Sequence, residues 1–294
     1  MAASSSPATT RSVSEVGRPA TPPRVVLAGG HESANGSDLA FIRTMDPDIA
    51  VTGAGRPLHN TLTRLLDAGE EPVVVVPMTF GRNPTFVADT AKTLKWLDGG
   101  AGGRVVLAEA FGTIDHLTAW LRTAATTVRR SDPEAALVIS APAANPFDDA
   151  ELYRIAHLVR IHGAGNEVEV AVTRTEADLQ AAVRRLRLLG SGRAVVVPAG
   201  FQRESRTAFG QGQFGGARFF GPLMSGQAVL RVVRERTRDA LHALSHGHTG
   251  IDAGLQADHG HGYAHSHAFE ESQGSGHSHP HGAAPGPSML THTH

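Results

Sequence analysis

Short apolar runs alternate with amphipathic segments from about residue 24 to residue 245. The runs are rich in valine and end at glycine, proline or a polar residue, which is typical of strands buried on both faces of a parallel sheet. Predicted strands cover residues 24–29, 49–51, 73–76, 104–109, 135–139, 167–173 and 194–197. The longest unbroken valine run, residues 73–76, ends at Pro77 and predicts the most strongly buried of these strands.

The segments between the strands carry helix signals. Pro57 begins a helix that Gly69 ends, residues 85–97 form a second one, and Asp115 is expected to cap a third. Asn145 and Pro146 introduce a helix in the second half, and Thr175 with Asp178 three residues later has capping-box spacing. Alternating strands and helices predict an α/β protein with parallel sheets.

The pattern of the first half recurs in the second. A valine-rich strand ends at Pro77 and another at Pro198, and each half finishes with a loop leading to a long helix. We therefore expect two flavodoxin-like halves related by a pseudo-two-fold repeat. The predicted domains are a disordered segment at 1–22, halves at 23–132 and 133–245, and a disordered histidine-rich tail at 246–294. The Gly- and Phe-rich segment 201–220 is either a mobile flap or a divergent connection.

Composition narrows the functional classes. Lys and Arg number 27 against 28 Asp and Glu, so the net charge of −1 gives no electrostatic footprint for nucleic acid. The absence of a bilayer-length apolar run or a secretory h-region leads us to expect a cytoplasmic protein without a membrane partner. The chain has no cysteine, so any metal site must use imidazole and oxygen ligands.

The histidines are concentrated near the end of the chain, where twelve of the 17 follow residue 241. Imidazole-rich segments favour Co, Ni, Cu and Zn ions, so we expect the tail to bind divalent metal. The alternative is a solvated low-complexity segment without a metal. The expected tail ligands are His246, His248, His259, His261, His265, His267, His277, His279 and His281.

The first strand ends at Gly29-Gly30 and is followed directly by His31, Glu32 and Ser33. Because ligands of parallel sheets gather at the carboxyl ends of the strands, these three residues are the leading functional candidates. A neutral imidazole there could bind a metal ion or accept protons, with Glu32 as its carboxylate partner. The structural alternative is a histidine whose nitrogens bond to the backbone of a tight turn. Glu109 and His116 follow another strand and could face the same cleft.

Together these features resemble the class II chelatases, the sirohydrochlorin cobaltochelatase and ferrochelatase family, in its long form with two fused halves. The resemblance covers residues 24 to 245 and includes His31-Glu32-Ser33, the strands ending at Pro77 and Pro198, and the loops at Gly112 and Gly221. Two departures stand out. Asn83 lies nearest the position of the family's second active-site histidine, and the region around Gly53 lacks the family's acidic residue.

The resemblance implies insertion of Co²⁺, or less favourably Ni²⁺ or Fe²⁺, into sirohydrochlorin without ATP or any nucleotide cofactor. It implies a tetrapyrrole and a metal ion as partners. The implied catalytic residues are His31, Glu32 and Ser33, the substrate-binding residues Arg82, Asn83, Arg203 and Arg206, and the metal ligands His31, Glu109, His116 and the tail histidines.

Two other functions compete with metal insertion. The missing second histidine favours a non-catalytic cobalt or nickel chaperone or storage protein on the same fold. A Rossmann-type oxidoreductase is disfavoured, because Gly29-Gly30-His31 lacks the spaced glycines of a dinucleotide-binding turn.

Overall fold

Each half of the chain forms a four-stranded sheet in which every strand pairing is parallel. The computed structural model describes residues 22–206 and 216–257. The first sheet has the order β2-β1-β3-β4 and the second the order β6-β5-β7-β8. The strands are β1 (Arg24–Gly29), β2 (Ile49–Gly53), β3 (Val73–Met78), β4 (Val105–Leu107), β5 (Ala135–Pro142), β6 (Val168–Thr173), β7 (Arg193–Pro198) and β8 (Ala217–Phe219). The predicted α/β class with two flavodoxin-like halves is confirmed.

Helices cover both faces of the two sheets. They are α1 (Phe41–Met45), α2 (Arg56–Ala68), α3 (Pro84–Ala101), α4 (Ile114–Ser131), α5 (Pro146–His162), α6 (Glu176–Leu188), α7 (Gly226–Ser245) and α8 (Ile251–Leu255). The expected capping box is present at Thr175 and Asp178 of α6. The cap of α4 is Thr113 rather than the predicted Asp115, because the Thr113 side chain accepts from the backbone N–H of His116. None of the helices in the described part of the chain is long and apolar enough to cross a bilayer.

The strand registers confirm the internal repeat. Pro77 lies beside Ala28 in the first sheet, and Pro198 lies beside Ser140 in the second. Counting along β1 and β5 from these pairs places Ala143 where His31 stands in the first half. The second half therefore keeps the frame of the first and has no histidine at the corresponding strand end.

The helix that follows each sheet packs against the sheet of the other half. Helix α4 contacts β5, β7 and α5, whereas α7 contacts β3, β4 and α1. Buried side chains of both helices, such as Leu121 and Val233, join one hydrophobic cluster with Leu27 of β1 and Ile139 of β5. The two halves consequently share a core, which joins them within one compact unit.

The ordered fold continues beyond Ser245, the residue at which the sequence predicts that it ends. Helix α8 packs against α3 and β4, and the Leu107 N–H donates to the carbonyl oxygen of Thr249 at 2.8 Å. The structure extends this boundary because Ile251 and Gly254 of α8 are buried and Leu255 packs against the same hydrophobic cluster. Residues 217–219 of the segment predicted as a flap or connection form strand β8 instead. Residues 207–215 of that segment lie outside the described residues.

Replacing Ile251 tests whether α8 belongs to the fold. Ile251 is 1% exposed, so Ile251→Ala should lower the free energy of unfolding by about 2–5 kcal/mol, the range for truncating a buried isoleucine to alanine. Chemical denaturation of the full chain measures this change. The matched control is Ile161→Ala, because Ile161 is 59% exposed and its loss should change stability by less than about 0.5 kcal/mol. Equal stability of the two variants would show that α8 contributes nothing.

Candidate active site where the two sheets meet

The turn after β1 is tight and has little room for side chains. A Cβ on Gly29 would lie 2.3 Å from the backbone nitrogen of Gly36, so only glycine fits there. His31–Ser33 forms one 3₁₀ turn, and the following Ala34 and Asn35 adopt positive φ angles of 49° and 54°. Ser33 is buried, and its hydroxyl donates to the Gly30 carbonyl oxygen at 3.2 Å. The Ser33 side chain thus holds the turn together.

Glu32 connects this turn to two other strand ends. Its buried carboxylate accepts hydrogen bonds from the Thr79 hydroxyl and from the Phe80 N–H, the latter at 3.0 Å. Its carbonyl oxygen accepts from the N–H of Phe201, which follows β7 in the second half. Burial raises the pKa of Glu32, while the charge of Arg82 and the hydrogen bonds oppose that rise. Glu32 therefore acts as a structural link and makes its contacts with protein groups.

Arg82, in the turn after β3, is a buried guanidinium with few partners. It is 1% exposed, and its Nη2 lies 3.5 Å from the carbonyl oxygen of Asp148 on α5. Its Nε and Nη1 are buried, and neither has a hydrogen-bond partner within the described residues. A buried charged donor without an acceptor is costly, so these two nitrogens point to a missing anionic or carbonyl group.

His31 lies beside Asn83, the residue that follows Arg82. The Asn83 oxygen caps α3 by accepting from Phe86 N–H at 3.0 Å, which leaves its Nδ2 to face His31 Nδ1 at 3.4 Å. Nδ1 is then the acceptor, so the proton of the neutral ring belongs on Nε2. Nε2 is buried and has no hydrogen-bond partner in the part of the chain that the structure describes.

Electrostatics keep His31 neutral. Burial and, to a smaller extent, the charge of Arg82 lower its pKa from 6.5 to about 4, while Asp149 acts in the opposite direction. At neutral pH the ring is therefore uncharged, and its Nε2–H is a third donor without an acceptor beside the two of Arg82. Arg82 and Asn83, the predicted substrate-binding residues of the first half, therefore lie close to His31.

The second half contributes groups that sequence reasoning missed. Asp149, in the first turn of α5, accepts from the Ala144 N–H at 3.0 Å and lies 3.7 Å from the Arg174 guanidinium.

Phe80 and Phe201 stack with ring centroids 5.1 Å apart, so an aromatic contact crosses between the halves. A signal for Asp149 was present, since the Asn145-Pro146 helix start places it at the carboxyl end of β5. The site therefore lies where the carboxyl ends of the strands of both sheets meet.

The two other predicted substrate arginines, Arg203 and Arg206, both make contacts with the first half. Arg203 donates to the carbonyl oxygen of Met224 at 3.2 Å, and its guanidinium carbon lies 4.1 Å from the ring centroid of Phe41. Arg206 pairs with Asp38 of the first half at 2.5 Å. Both guanidinium groups already have partners.

The structure does not assemble the predicted metal ligands. Among residues 22–206 and 216–257, no three His, Asp or Glu side chains are placed to hold one metal ion. Glu109 and His116 make other contacts in the structure, and their part in a metal site with His31 stays a prediction. His116 Nδ1 accepts from the Thr113 N–H at 3.1 Å, and Glu109 pairs with Arg236 at 3.0 Å.

The predicted tail ligands fall into two groups. His246 and His248 are exposed just after α7. The remaining tail ligands lie outside the described residues: His259, His261, His265, His267, His277, His279 and His281.

Comparisons with known proteins find similar chains among solved structures. No protein-family model matches the chain, and no curated protein matches it either. Among solved structures, the chain is similar to DR2241 from Deinococcus radiodurans, a multi-domain protein with structural similarity to chelatases and two additional novel domains. The identity is 18% and the TM-score 0.37, over 73% of this chain and 54% of DR2241. The chain thus spans about half the length of that protein, and a likeness at this level says nothing about activity.

The lowered pKa of His31 makes stability depend on pH. The folded-state pKa of about 4 lies below the ordinary 6.5, so the unfolded chain binds this proton more tightly. The stability that neutral His31 contributes should be complete above about pH 6.5 and disappear as the pH falls through 4. Ring NMR shifts of His31 should report a midpoint near pH 4.

Removal of the Arg82 charge tests its contribution to the lowered pKa of His31. In Arg82→Met the pKa of His31 should rise, because the guanidinium no longer opposes protonation. Arg203→Met is the control and should leave the His31 midpoint in place, since Arg203 is not among the charges that act on it. A midpoint that moves equally in both variants, or in neither, would contradict the assignment.

Proposed function

We propose that the chain inserts a divalent metal ion into a sirohydrochlorin-type tetrapyrrole without using a nucleotide. Co²⁺ is the favoured metal, and Ni²⁺ and Fe²⁺ are less favoured. The observation that supports this most is a set of three buried nitrogens without acceptors, His31 Nε2 and Arg82 Nε and Nη1. They lie at the carboxyl ends of parallel strands, where ligands of such sheets bind. Two of them belong to a guanidinium, the group best suited to a carboxylate, and this tetrapyrrole carries several carboxylates.

Arg82 and His31 would act in sequence in this proposal. A substrate carboxylate that pairs with Arg82 neutralises the charge that lowers the pKa of His31. The ring then becomes a stronger base when substrate is bound. As M²⁺ bonds to the macrocycle nitrogens, two pyrrole N–H bonds release their protons, one to His31 Nδ1, whose hydrogen bond from Asn83 must then break, and one to solvent. Glu32 would serve this reaction by holding the turn, since its oxygens already accept from Thr79 and Phe80.

Access to His31 requires movement of the turn. Nε2 is buried, and the hydrogen bond from Phe201 to Glu32 joins the halves next to it. In the proposed reaction the substrate enters when the segment after β7 moves away from this contact, while the shared core of the two halves stays intact. Arg203 and Arg206 then lie on the segment that moves, where their contacts with Phe41 and Asp38 would break.

Specific observations also favour a second candidate, a non-catalytic cobalt or nickel chaperone or storage protein. Asn83 stands nearest the place of the second histidine of the family that the sequence resembles, and its oxygen is used to cap α3. The hydrogen bond from Asn83 keeps the proton on Nε2, so metal binding there needs the opposite tautomer. In this candidate the tail would carry the metal.

Substitution of His31 tests the catalytic proposal. With sirohydrochlorin and Co²⁺ present, the absorbance change that accompanies metal insertion should be about 100-fold slower in His31→Gln, because the proton acceptor is lost. Arg82→Met should raise KM, since the carboxylate loses its partner. His157→Ala is the control, because this histidine is exposed on α5. Equal rates for wild type and His31→Gln would remove His31 from the mechanism.

Truncation separates the two candidates. The chain should be cut after Ala257, because a cut at Ser245 would also remove α8. A metal-inserting enzyme should keep its turnover at saturating Co²⁺ after this cut, since its site lies at the sheet edges. A storage protein should instead lose most of its bound metal, as measured by equilibrium dialysis. Loss of bound metal together with absent turnover in both forms of the chain would establish the second candidate.

A further inference from the structure

The carboxyl end of α7 carries two histidines that the His31 site does not use, His242 in the last turn and His246 at the C-cap. His242 and His246 are four residues apart, so they lie on the same face of the helix. Their ring centroids are 4.8 Å apart, with the ring planes at 84°. Both residues are exposed, so a dissolved ion can reach the two rings.

Neither imidazole is engaged by the protein. Within the described residues, no hydrogen bond or ion pair involves a side-chain nitrogen of His242 or His246. Their backbones, by contrast, are well held. The Ser245 hydroxyl donates to the His242 carbonyl oxygen at 2.6 Å, and the His246 N–H donates to Ala243. The backbone of the pair is therefore held in place while its ring nitrogens are available.

The carboxyl end of the helix favours a cation. The carboxyl end of a helix carries partial negative charge from its unpaired carbonyl groups, and this end of α7 has no Lys or Arg in its last turn. One turn earlier, Arg238 and Asp239 have opposite charges, and Arg238 lines a cavity that includes Asp46 and Asp48. Two imidazoles one helical turn apart are also the ligand spacing found in helical zinc motifs.

We propose that His242 and His246 form a binding site for a divalent transition-metal ion, with water completing its coordination. Imidazole selects Co²⁺, Ni²⁺, Cu²⁺ and Zn²⁺ over Mg²⁺ and Ca²⁺, which prefer oxygen ligands. No third His, Asp or Glu joins the pair among the described residues, so the site is open and exchangeable. This inference is independent of the reaction proposed at His31, because none of its residues belongs to that site.

The test must distinguish this pair from the other histidines of the full chain, so it needs a local readout. We would titrate the isotope-labelled full-length protein with Ni²⁺ alone and follow paramagnetic broadening of backbone amide signals. Signals of Leu241, Ser245 and Gly247 should broaden in the wild type. In His242→Ala or His246→Ala the Ni²⁺ concentration for the same broadening should rise roughly 100-fold, because one ligand cannot chelate.

Two controls sharpen the result. His157→Ala removes an exposed helical histidine on α5 and should leave the α7 broadening unchanged. Mg²⁺ in place of Ni²⁺ should cause no shift of the α7 signals in the wild type. The proposal is overturned if the α7 signals stay sharp while other signals broaden, or if both single variants broaden at the wild-type Ni²⁺ concentration. Activity of the His31 site is not measured, so failure here leaves the proposed reaction untouched.

Discussion

The buried carboxylate of Glu32 is the contact on which the arrangement of the site depends. It receives a hydroxyl and a backbone N–H from the segment after β3, while its own backbone receives an N–H from the segment after β7. Three strand ends from two sheets are thereby fixed to one residue. Because a buried carboxylate without donors would cost several kcal/mol, these donors must stay in place, and Arg82 must stay near to balance the charge.

The charges of Glu32 and Arg82 influence each other without forming a direct ion pair. The carboxylate is satisfied by its own donors, whereas the guanidinium retains two nitrogens without acceptors. A purely structural arginine would be expected to use all its donors, since each unpaired one is unfavourable when buried. The two unpaired guanidinium nitrogens lie near His31. Burial and the charge of Arg82 keep this histidine neutral. Charge, burial and unsatisfied donors thus coincide at one place in the fold, which is a pattern typical of binding sites.

Much of the fold could be predicted from the sequence because its signals are local. Valine runs define strands, Pro77 and Pro198 mark equivalent ends, and the Thr175 capping box begins α6. Strand β8 and helix α8 were missed, since each is short and stabilised by contacts with distant segments. At the site, the sequence placed His31 at a strand end correctly, but it could not show that Arg82 is buried or that Asp149 approaches from the other half. Those properties depend on how the two sheets meet.

Because α4 and α7 each pack on the sheet of the other half, the two halves depend on each other to fold. Each sheet relies on a helix encoded next to the other sheet for part of its hydrophobic covering. A half expressed by itself would leave apolar strand surface in water and would carry an orphan amphipathic helix. The internal repeat is therefore visible in the register of the strands, yet it does not divide the chain into modules that could be exchanged, deleted or folded one at a time.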